Sequence, residues 1–204
     1  MDVQACLDIL KARSETPHTH DGEDGCHTPC VEENATRSLN MKPIDDVAAL
    51  EPEMESMTVR ELLETFQVCQ AKRVQVYQQF EKGFMEFMFT DELPAFSQGI
   101  TMQFVSISNQ VNAIERTLRS KATVPASMPS LLRHVQSEEK EKLLLTSAIL
   151  LEKMRLQRAT KADPEDASIP IFEKSIASMQ ATHTAIIERI NDHLDALRYE
   201  MLDE

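Results

Sequence analysis

The chain has 204 residues, of which 42% are hydrophobic, and this allows one domain with a buried core plus an additional segment. It contains four glycines and no tryptophan, and residues that favour helices dominate its second half. The net charge is −13 without any cluster of Lys and Arg, which argues against strong direct binding of DNA or RNA through phosphates.

Cysteine spacing and hydropathy indicate in which cellular environment the protein lies. The four cysteines show no disulfide-framework spacing, and the N-terminus lacks the basic start and apolar stretch of a secretory signal, so we expect a reducing compartment. The longest apolar stretch, Leu143 to Leu151, is far shorter than the roughly 20 residues that cross a bilayer. We therefore expect no membrane segment.

Residues 1–56 are predicted to form a mostly disordered acidic tail. Within it, residues 3–13 carry apolar side chains at helical spacing and predict a short N-terminal helix, which is marginal in isolation. Residues 14–56 hold eleven acidic side chains against two basic ones and show no helical or strand period. Such a composition cannot bury enough apolar surface to offset the entropy of ordering.

The predicted helical bundle, residues 57–204, opens with a capping box. The Thr58 hydroxyl can accept from the backbone N–H of Glu61, whose carboxylate can accept from the N–H of Thr58. Behind this pair, apolar residues recur at steps of three and four, with a gap at Arg73. This period predicts a first helix that ends near Phe89.

Two further helices follow, each after a turn that contains proline. Pro94 forces Leu93 out of the helical region, and the apolar seam from Phe96 to Leu118 predicts the second helix. Prolines within residues 124–129 break the chain again. The third helix is predicted from about Ser130 to Arg158, with an apolar face broad enough for more than one neighbour.

A fourth helix is predicted from its N-cap, Ser168, to the end of the chain, with Pro170 in its first turn. Its apolar stripe runs from Phe172 to Met201, which is longer than the second helix can cover, so we expect another surface to cover it. The connections between the helices are short or moderate. The pattern predicts an all-α fold, an elongated antiparallel bundle of about four long helices.

Four sequence blocks, in this order, are similar to a known family: Val59–Met88, Phe104–Leu118, Leu131–Met154 and Ile190–Met201. The chain resembles the required-for-excision 1-B domain family over roughly residues 57–202, and the resemblance does not extend to residues 1–56. The resemblance implies a nuclear accessory protein of DNA excision repair and implies no catalytic residues. The residues that carry it best are Arg73, Tyr77, Phe80, Val111, Glu115, Leu118, Glu139, Leu143–Thr146 and Leu197–Glu200.

One cluster in the tail has the chemistry of metal ligands. His18, His20, Cys26, His27 and Cys30 offer thiolates and imidazoles, but a Cys-x3-Cys pair with an HxH upstream is not the established spacing of a zinc finger or ribbon. We expect no metal site and no cofactor. A zinc site at His18, His20, Cys26 and Cys30 is the alternative.

Ionisable residues in the predicted helices are expected to be structural. His183 lies on the apolar stripe of the fourth helix, where a histidine in a core or seam is the usual outcome. The alternating charges Glu138–Lys142 are typical of a solvated face with i,i+4 pairs such as Glu138 with Lys142.

No sequence motif for catalysis is present. The chain lacks a glycine-rich phosphate loop, a nucleophile elbow and an HExxH motif, and Cys69 lies in the seam of the first helix, where a buried thiol is expected. We therefore expect that the protein is not an enzyme.

Two functional classes remain. The first is a nuclear adaptor in DNA excision repair, which binds partner proteins through exposed helical seams; a cytoplasmic location stays open. The second is a structural coiled-coil subunit of a cytoskeletal or trafficking complex, whose seams are covered by self-association. Leu197, Arg198 and Tyr199 combine apolar anchors with residue types enriched at binding hot spots, and they are the predicted partner-binding site. The alternative for these residues is a frayed terminal turn.

Overall fold

A computed structural model describes residues 52–202, with side chains described as far as Glu200. In this range the chain forms a short helical segment at residues 52–55 and four long helices, and it contains no strand. The long helices are α1 (Val59–Phe87), α2 (Leu93–Ser120), α3 (Ser127–Ala162) and α4 (Ile169–Leu202). The all-α prediction is confirmed. The predicted helix at residues 3–13, the predicted disordered stretch as far as residue 51 and the His/Cys cluster lie outside the described residues.

The capping box that starts α1 is confirmed. The Thr58 N–H donates to Oε2 of Glu61 at 2.7 Å, and the Glu61 N–H donates to Oγ1 of Thr58 at 3.3 Å. The hydrogen bond from the backbone of Thr58 lowers the pKa of the Glu61 carboxyl. Two backbone donors that a helix start leaves without partners are thereby satisfied.

The turn between α1 and α2 depends on a glycine. At Gly83, a Cβ atom would overlap the ring of Phe96, so only the absence of a side chain lets α2 approach α1 so closely. Phe96 also packs against Phe87, with ring centroids 5.3 Å apart. Pro94 occupies the first turn of α2, where its missing N–H costs no helical hydrogen bond.

α3 begins earlier than the sequence predicts. Its first residue is Ser127, not Ser130, because Pro129 falls within the first turn of the helix, where a proline is tolerated. At its other end α3 continues beyond the predicted Arg158 to Ala162. The longer helix supplies the cover that the stripe on α4 requires, and α3 with α4 is the most extensive helix pair among the described residues.

Side-chain contacts show which parts of neighbouring helices lie beside each other. Cys69 contacts Gln110 and Phe87 contacts Phe96, so the start of α1 lies beside the end of α2. Thr146 contacts His183 and Ser127 contacts Glu200, so the start of α3 lies beside the end of α4. The apolar core between the helices contains, among its fully buried side chains, Leu62, Leu63, Phe66, Cys69, Phe84, Val111, Ile114, Leu118, Met128, Leu132, Val135 and Leu150.

The charged stretch of α3 is not a solvated face of i,i+4 pairs, and that prediction is wrong. Glu139 is buried, and Lys142 pairs with Glu139 at 3.3 Å instead of with Glu138. Glu138 accepts from Arg189 of α4 at 2.7 Å. The alternation of charge in the sequence hides this difference, because only the positions of the neighbouring helices decide which acid is covered.

Candidate functional site

A buried arginine joins three helices. Arg73 of α1 is 2% exposed, and its guanidinium donates to Oε1 of Gln70 at 2.9 Å, to Oγ of Ser108 on α2 at 3.3 Å and to Oε1 of Gln136 on α3. Burial lowers the pKa of Arg73, and the Glu139 carboxylate opposes that effect. The gap that Arg73 leaves in the apolar stripe of α1 is therefore a buried polar position.

Tyr77, one turn after Arg73 on α1, forms further polar contacts between α1 and α3. Its hydroxyl lies 3.1 Å from the carboxylate of Glu139 and 3.2 Å from the carbonyl oxygen of the same residue. The ammonium of Lys142 lies 4.0 Å from the centroid of the Tyr77 ring while it pairs with Glu139. Burial, followed by the charge of Glu139, raises the pKa of Tyr77 well above its ordinary value.

The polar contacts reach α4 through a histidine. The Thr146 hydroxyl donates to the carbonyl of Lys142 at 2.8 Å, so its oxygen accepts from Nε2 of His183 at 3.1 Å. Burial and the charge of Lys142 lower the pKa of His183, whereas Glu81 and Glu139 raise it. His183 is half-buried in the seam between α3 and α4, as the sequence predicts.

We call this set the polar network; its members are Arg73, Tyr77, Ser108, Gln136, Glu139, Lys142, Thr146 and His183. Its bonds form two adjacent sets, one around Arg73 and one that runs from Tyr77 to His183. No buried side-chain N or O atom between residues 52 and 200 lacks a partner. Chemically, the network cross-links four helices. The sequence indicates several members only through the family resemblance.

A cleft lies between α1 and α4. It encloses about 250 Å³ and is lined by Leu63, Phe66, Gln67, Gln70, Leu194, Leu197 and Arg198. Its floor is formed by leucine and phenylalanine side chains that belong to the core, and its rim carries two amides and a guanidinium. We call it the α1–α4 cleft.

The structure separates the three predicted partner-binding residues. Leu197 is 4% exposed and forms part of the floor of the cleft, and Arg198 lies at its rim and bonds to Asp195. Tyr199 is 71% exposed and does not line the cleft. Gln67 and Gln70 could not be singled out from the sequence, because no local pattern distinguishes them from the other glutamines of α1.

The described residues offer neither a cluster of metal ligands nor an accessible thiol. Among residues 52–200, no three His, Cys, Asp or Glu side chains are grouped so that they could hold a metal ion. Cys69 is buried, its thiol contacts Oε1 of Gln110 at 3.4 Å, and burial raises its pKa. None of the four long helices is apolar over enough of its length to cross a membrane.

Comparison with protein families gives a match, over residues 61–153, to the family described as DNA repair REX1-B. Comparisons with curated proteins and with solved structures gave no match. The matched residues cover α1, α2 and most of α3, and they include Arg73, Tyr77 and Glu139 of the polar network. The block Ile190–Met201 lies outside the match. The predicted resemblance is thus confirmed: over residues 61–153, somewhat less than half of its length, this chain is similar to the DNA repair REX1-B (required for excision 1-B) family.

Proposed function

We propose that the protein is a non-catalytic accessory protein of DNA excision repair and acts as an adaptor for partner proteins. The family description supports a role in DNA repair, and a nuclear location follows from that role. The observation that carries the adaptor function is the open face between α1 and α4. We further propose that residues 57–204 form an elongated antiparallel bundle, so that this face is continuous along it.

The face between α1 and α4 extends beyond the cleft. Val74 follows Gln70 by one turn and Met85 follows Val74 by three turns, so both lie on the side of α1 that lines the cleft. Ile187 precedes Leu194 by two turns and lies on the corresponding side of α4. These three side chains are 53%, 39% and 37% exposed, respectively. We call Val74, Met85 and Ile187 the α1–α4 seam.

The seam and the cleft suit a partner helix better than a small substrate. A volume of about 250 Å³ lies below the range of roughly 300–1,000 Å³ that is usual for sites that bind small molecules, but it accepts one large apolar side chain. The polar groups at the rim are the amides of Gln67 and Gln70 and the guanidinium of Arg198. They can donate hydrogen bonds to a partner but supply no nucleophile or general base.

Substitutions on the exposed seam test this proposal without disturbing the core. Val74→Lys combined with Ile187→Lys places two charges on the seam, and Val68→Lys is the matched control because Val68 has the same 53% exposure on another face of α1. Cells that lack the protein are complemented with each variant, and removal of ultraviolet lesions from DNA is measured. We expect the seam variant to fail and the control to restore repair.

Two outcomes contradict the proposal. Normal lesion removal in cells that lack the protein would show that it has no role in excision repair. The second outcome is seen by light scattering: the wild-type protein is a dimer and the seam variant is a monomer. That result would favour the alternative of a structural coiled-coil subunit whose seams are covered by self-association.

A further inference from the structure

Gln70 joins the buried polar network to the surface of the α1–α4 cleft. Its side chain is half-buried: it lines the cleft, and its Oε1 accepts a hydrogen bond from Nη1 of Arg73 at 2.9 Å. A guanidinium group can only donate hydrogen bonds, so the atom of Gln70 that faces it is the oxygen and not the nitrogen. The buried arginine therefore fixes which way round the amide group of Gln70 lies.

This orientation leaves the amide nitrogen of Gln70 for a ligand. Between residues 52 and 200, no residue accepts a hydrogen bond from Nε2 of Gln70. The amide is also polarised, because its oxygen is bonded to a cation, and its N–H groups are stronger donors for that reason. A free glutamine could offer either a donor or an acceptor, but Gln70 offers the cleft a donor.

Donors also predominate on the rest of the rim of the cleft. The guanidinium of Arg198 has no acceptor; one of its nitrogens bonds to Asp195, and the side chain is 67% exposed. Gln67 is exposed, and among the described residues that line the cleft it alone has a side-chain oxygen that is not already bonded. A ligand at this rim is therefore required mainly to accept hydrogen bonds.

The ligand that fits combines an apolar group with an acceptor. The leucine and phenylalanine floor takes one large apolar side chain, and the donors of the rim require an acceptor beside it. A carboxylate is the acceptor that amide and guanidinium donors bind most strongly, because it is charged and carries no donor of its own. We propose that the cleft binds a helix of a partner protein on which Glu or Asp lies one turn from a leucine-sized side chain, with Gln70 and Arg198 holding the carboxylate.

This inference rests on the adaptor function proposed above, but the two can fail separately. Repair that is restored by the seam variant would overturn the adaptor function and would leave the ligand preference of the cleft as it is. A cleft that does not prefer a carboxylate would overturn the present inference, and the result of the repair assay would still stand.

The test uses the purified full-length protein and two capped dipeptides, N-acetyl-Glu-Leu-amide and N-acetyl-Gln-Leu-amide. They have no terminal charges and differ only in the carboxylate. Binding is followed by NMR through the leucine methyl groups of Leu63, Leu194 and Leu197, which line the cleft. The salt concentration is about 0.15 M, at which the long-range field of the net charge of −13 is largely screened.

We expect the Glu dipeptide to bind with a dissociation constant in roughly the millimolar range, about tenfold more tightly than the Gln dipeptide. Gln70→Glu is the principal variant, because one carboxylate oxygen can still accept from Arg73 while the other replaces the donor that faces the cleft. It should weaken binding of the Glu dipeptide by about tenfold and change that of the Gln dipeptide by less than about twofold.

Gln75→Glu is the matched control, since Gln75 is an exposed glutamine of α1 that does not line the cleft. The same change of charge at this position should alter binding of either dipeptide by less than about twofold. Arg198→Gln is a second variant that acts on an exposed side chain, and it should weaken binding of the Glu dipeptide by about fivefold. Circular dichroism verifies that each variant is folded.

Four results would overturn the proposal. The first is that neither dipeptide shifts the leucine methyl signals at about 20 mM, a concentration that admits very weak complexes. The second is equal affinity of the wild-type protein for the two dipeptides. The third is an equal loss of affinity in Q70E and Q75E, which would indicate a response to overall charge alone. The fourth is a shift of the methyl signals on dilution of the protein without ligand, which would show that a second copy of the chain covers the cleft.

Discussion

The hydroxyl of Tyr77 and the carboxylate of Glu139, 3.1 Å apart, link α1 to α3 in the interior of the protein. Both side chains are buried, and Lys142 pairs with the same carboxylate at 3.3 Å. The contact replaces apolar packing with hydrogen bonds at the centre of the domain. Because buried polar groups are costly when a partner is removed, the pair offers a sensitive probe of stability.

Tyr77→Phe should lower the free energy of unfolding by about 1–3 kcal/mol, because Glu139 loses a donor while it stays buried. The measurement is urea denaturation followed by circular dichroism. Tyr199→Phe is the control: Tyr199 is 71% exposed, and its substitution should change stability by less than about 0.5 kcal/mol. Equal effects of the two substitutions would contradict the buried link to Glu139.

Gly83→Ala should destabilise the protein by about 1–3 kcal/mol, although alanine favours helices, because the new methyl group overlaps the ring of Phe96. Gly99→Ala should stabilise it by up to about 1 kcal/mol, because nothing lies within 4 Å of a Cβ at that position. The stabilities of the two variants are compared by thermal unfolding. A stabilised Gly83→Ala protein would show that α2 does not approach α1 this closely.

Leu197→Ala should cost about 2–5 kcal/mol of stability, because Leu197 is 4% exposed and contributes to the core as well as to the floor of the cleft. Tyr199→Ala should be nearly neutral, within about 0.5 kcal/mol. Denaturant titrations of the two single variants separate these effects. If Tyr199→Ala destabilised the protein, the Tyr199 side chain would have to be packed against other residues and not exposed.

Stability should also depend on the protonation of His183. Burial lowers its pKa in the folded state from an ordinary value of 6.5, so the unfolded chain binds the proton more readily. The contribution to stability is therefore complete above about pH 6.5 and is lost as the pH falls toward the lower folded-state pKa. The charged groups that act on the ring are Lys142, Glu81 and Glu139.

The measurement is the free energy of unfolding at a series of pH values from about 8 down to 5, for wild type and His183→Gln. We expect the wild type to lose stability below about pH 6.5 more steeply than the variant, which cannot take up a proton at this position. Parallel curves for the two proteins would show that burial of His183 does not lower its pKa.

The helices could be predicted from the sequence because the interactions that define them join residues close together in the chain. The Thr58–Glu61 capping box and the apolar stripes depend on residues only a few positions apart, and their spacing alone defines a start and a buried face. Proline positions located the breaks, with an error of three residues at Pro129, which α3 includes in its first turn.

The polar network and the ion pairs of Glu115 with Arg119 and Arg133 could not be predicted, because their cause is the packing of distant segments. Arg73 interrupts an apolar stripe, and nothing local shows that Ser108 and Gln136 will meet it. Glu138 and Glu139 are neighbours of equal charge, yet one is buried with Tyr77 and the other pairs with Arg189. Likewise, Glu115 brings Arg119 and Arg133 together only once α2 and α3 are in place.

The contacts of Arg73 also determine how far each helix can slide. Leucine-rich faces tolerate a shift of one turn, about 5.4 Å, because one apolar contact then replaces another. The same shift of α3 along α1 would move Gln136 away from Arg73 and Glu139 away from Tyr77 together, so that each of the two buried charged groups would lose a hydrogen-bond partner. α1 and α3 are therefore held in a single register, and the wall of the cleft that Leu63 and Phe66 form keeps a fixed position along α3.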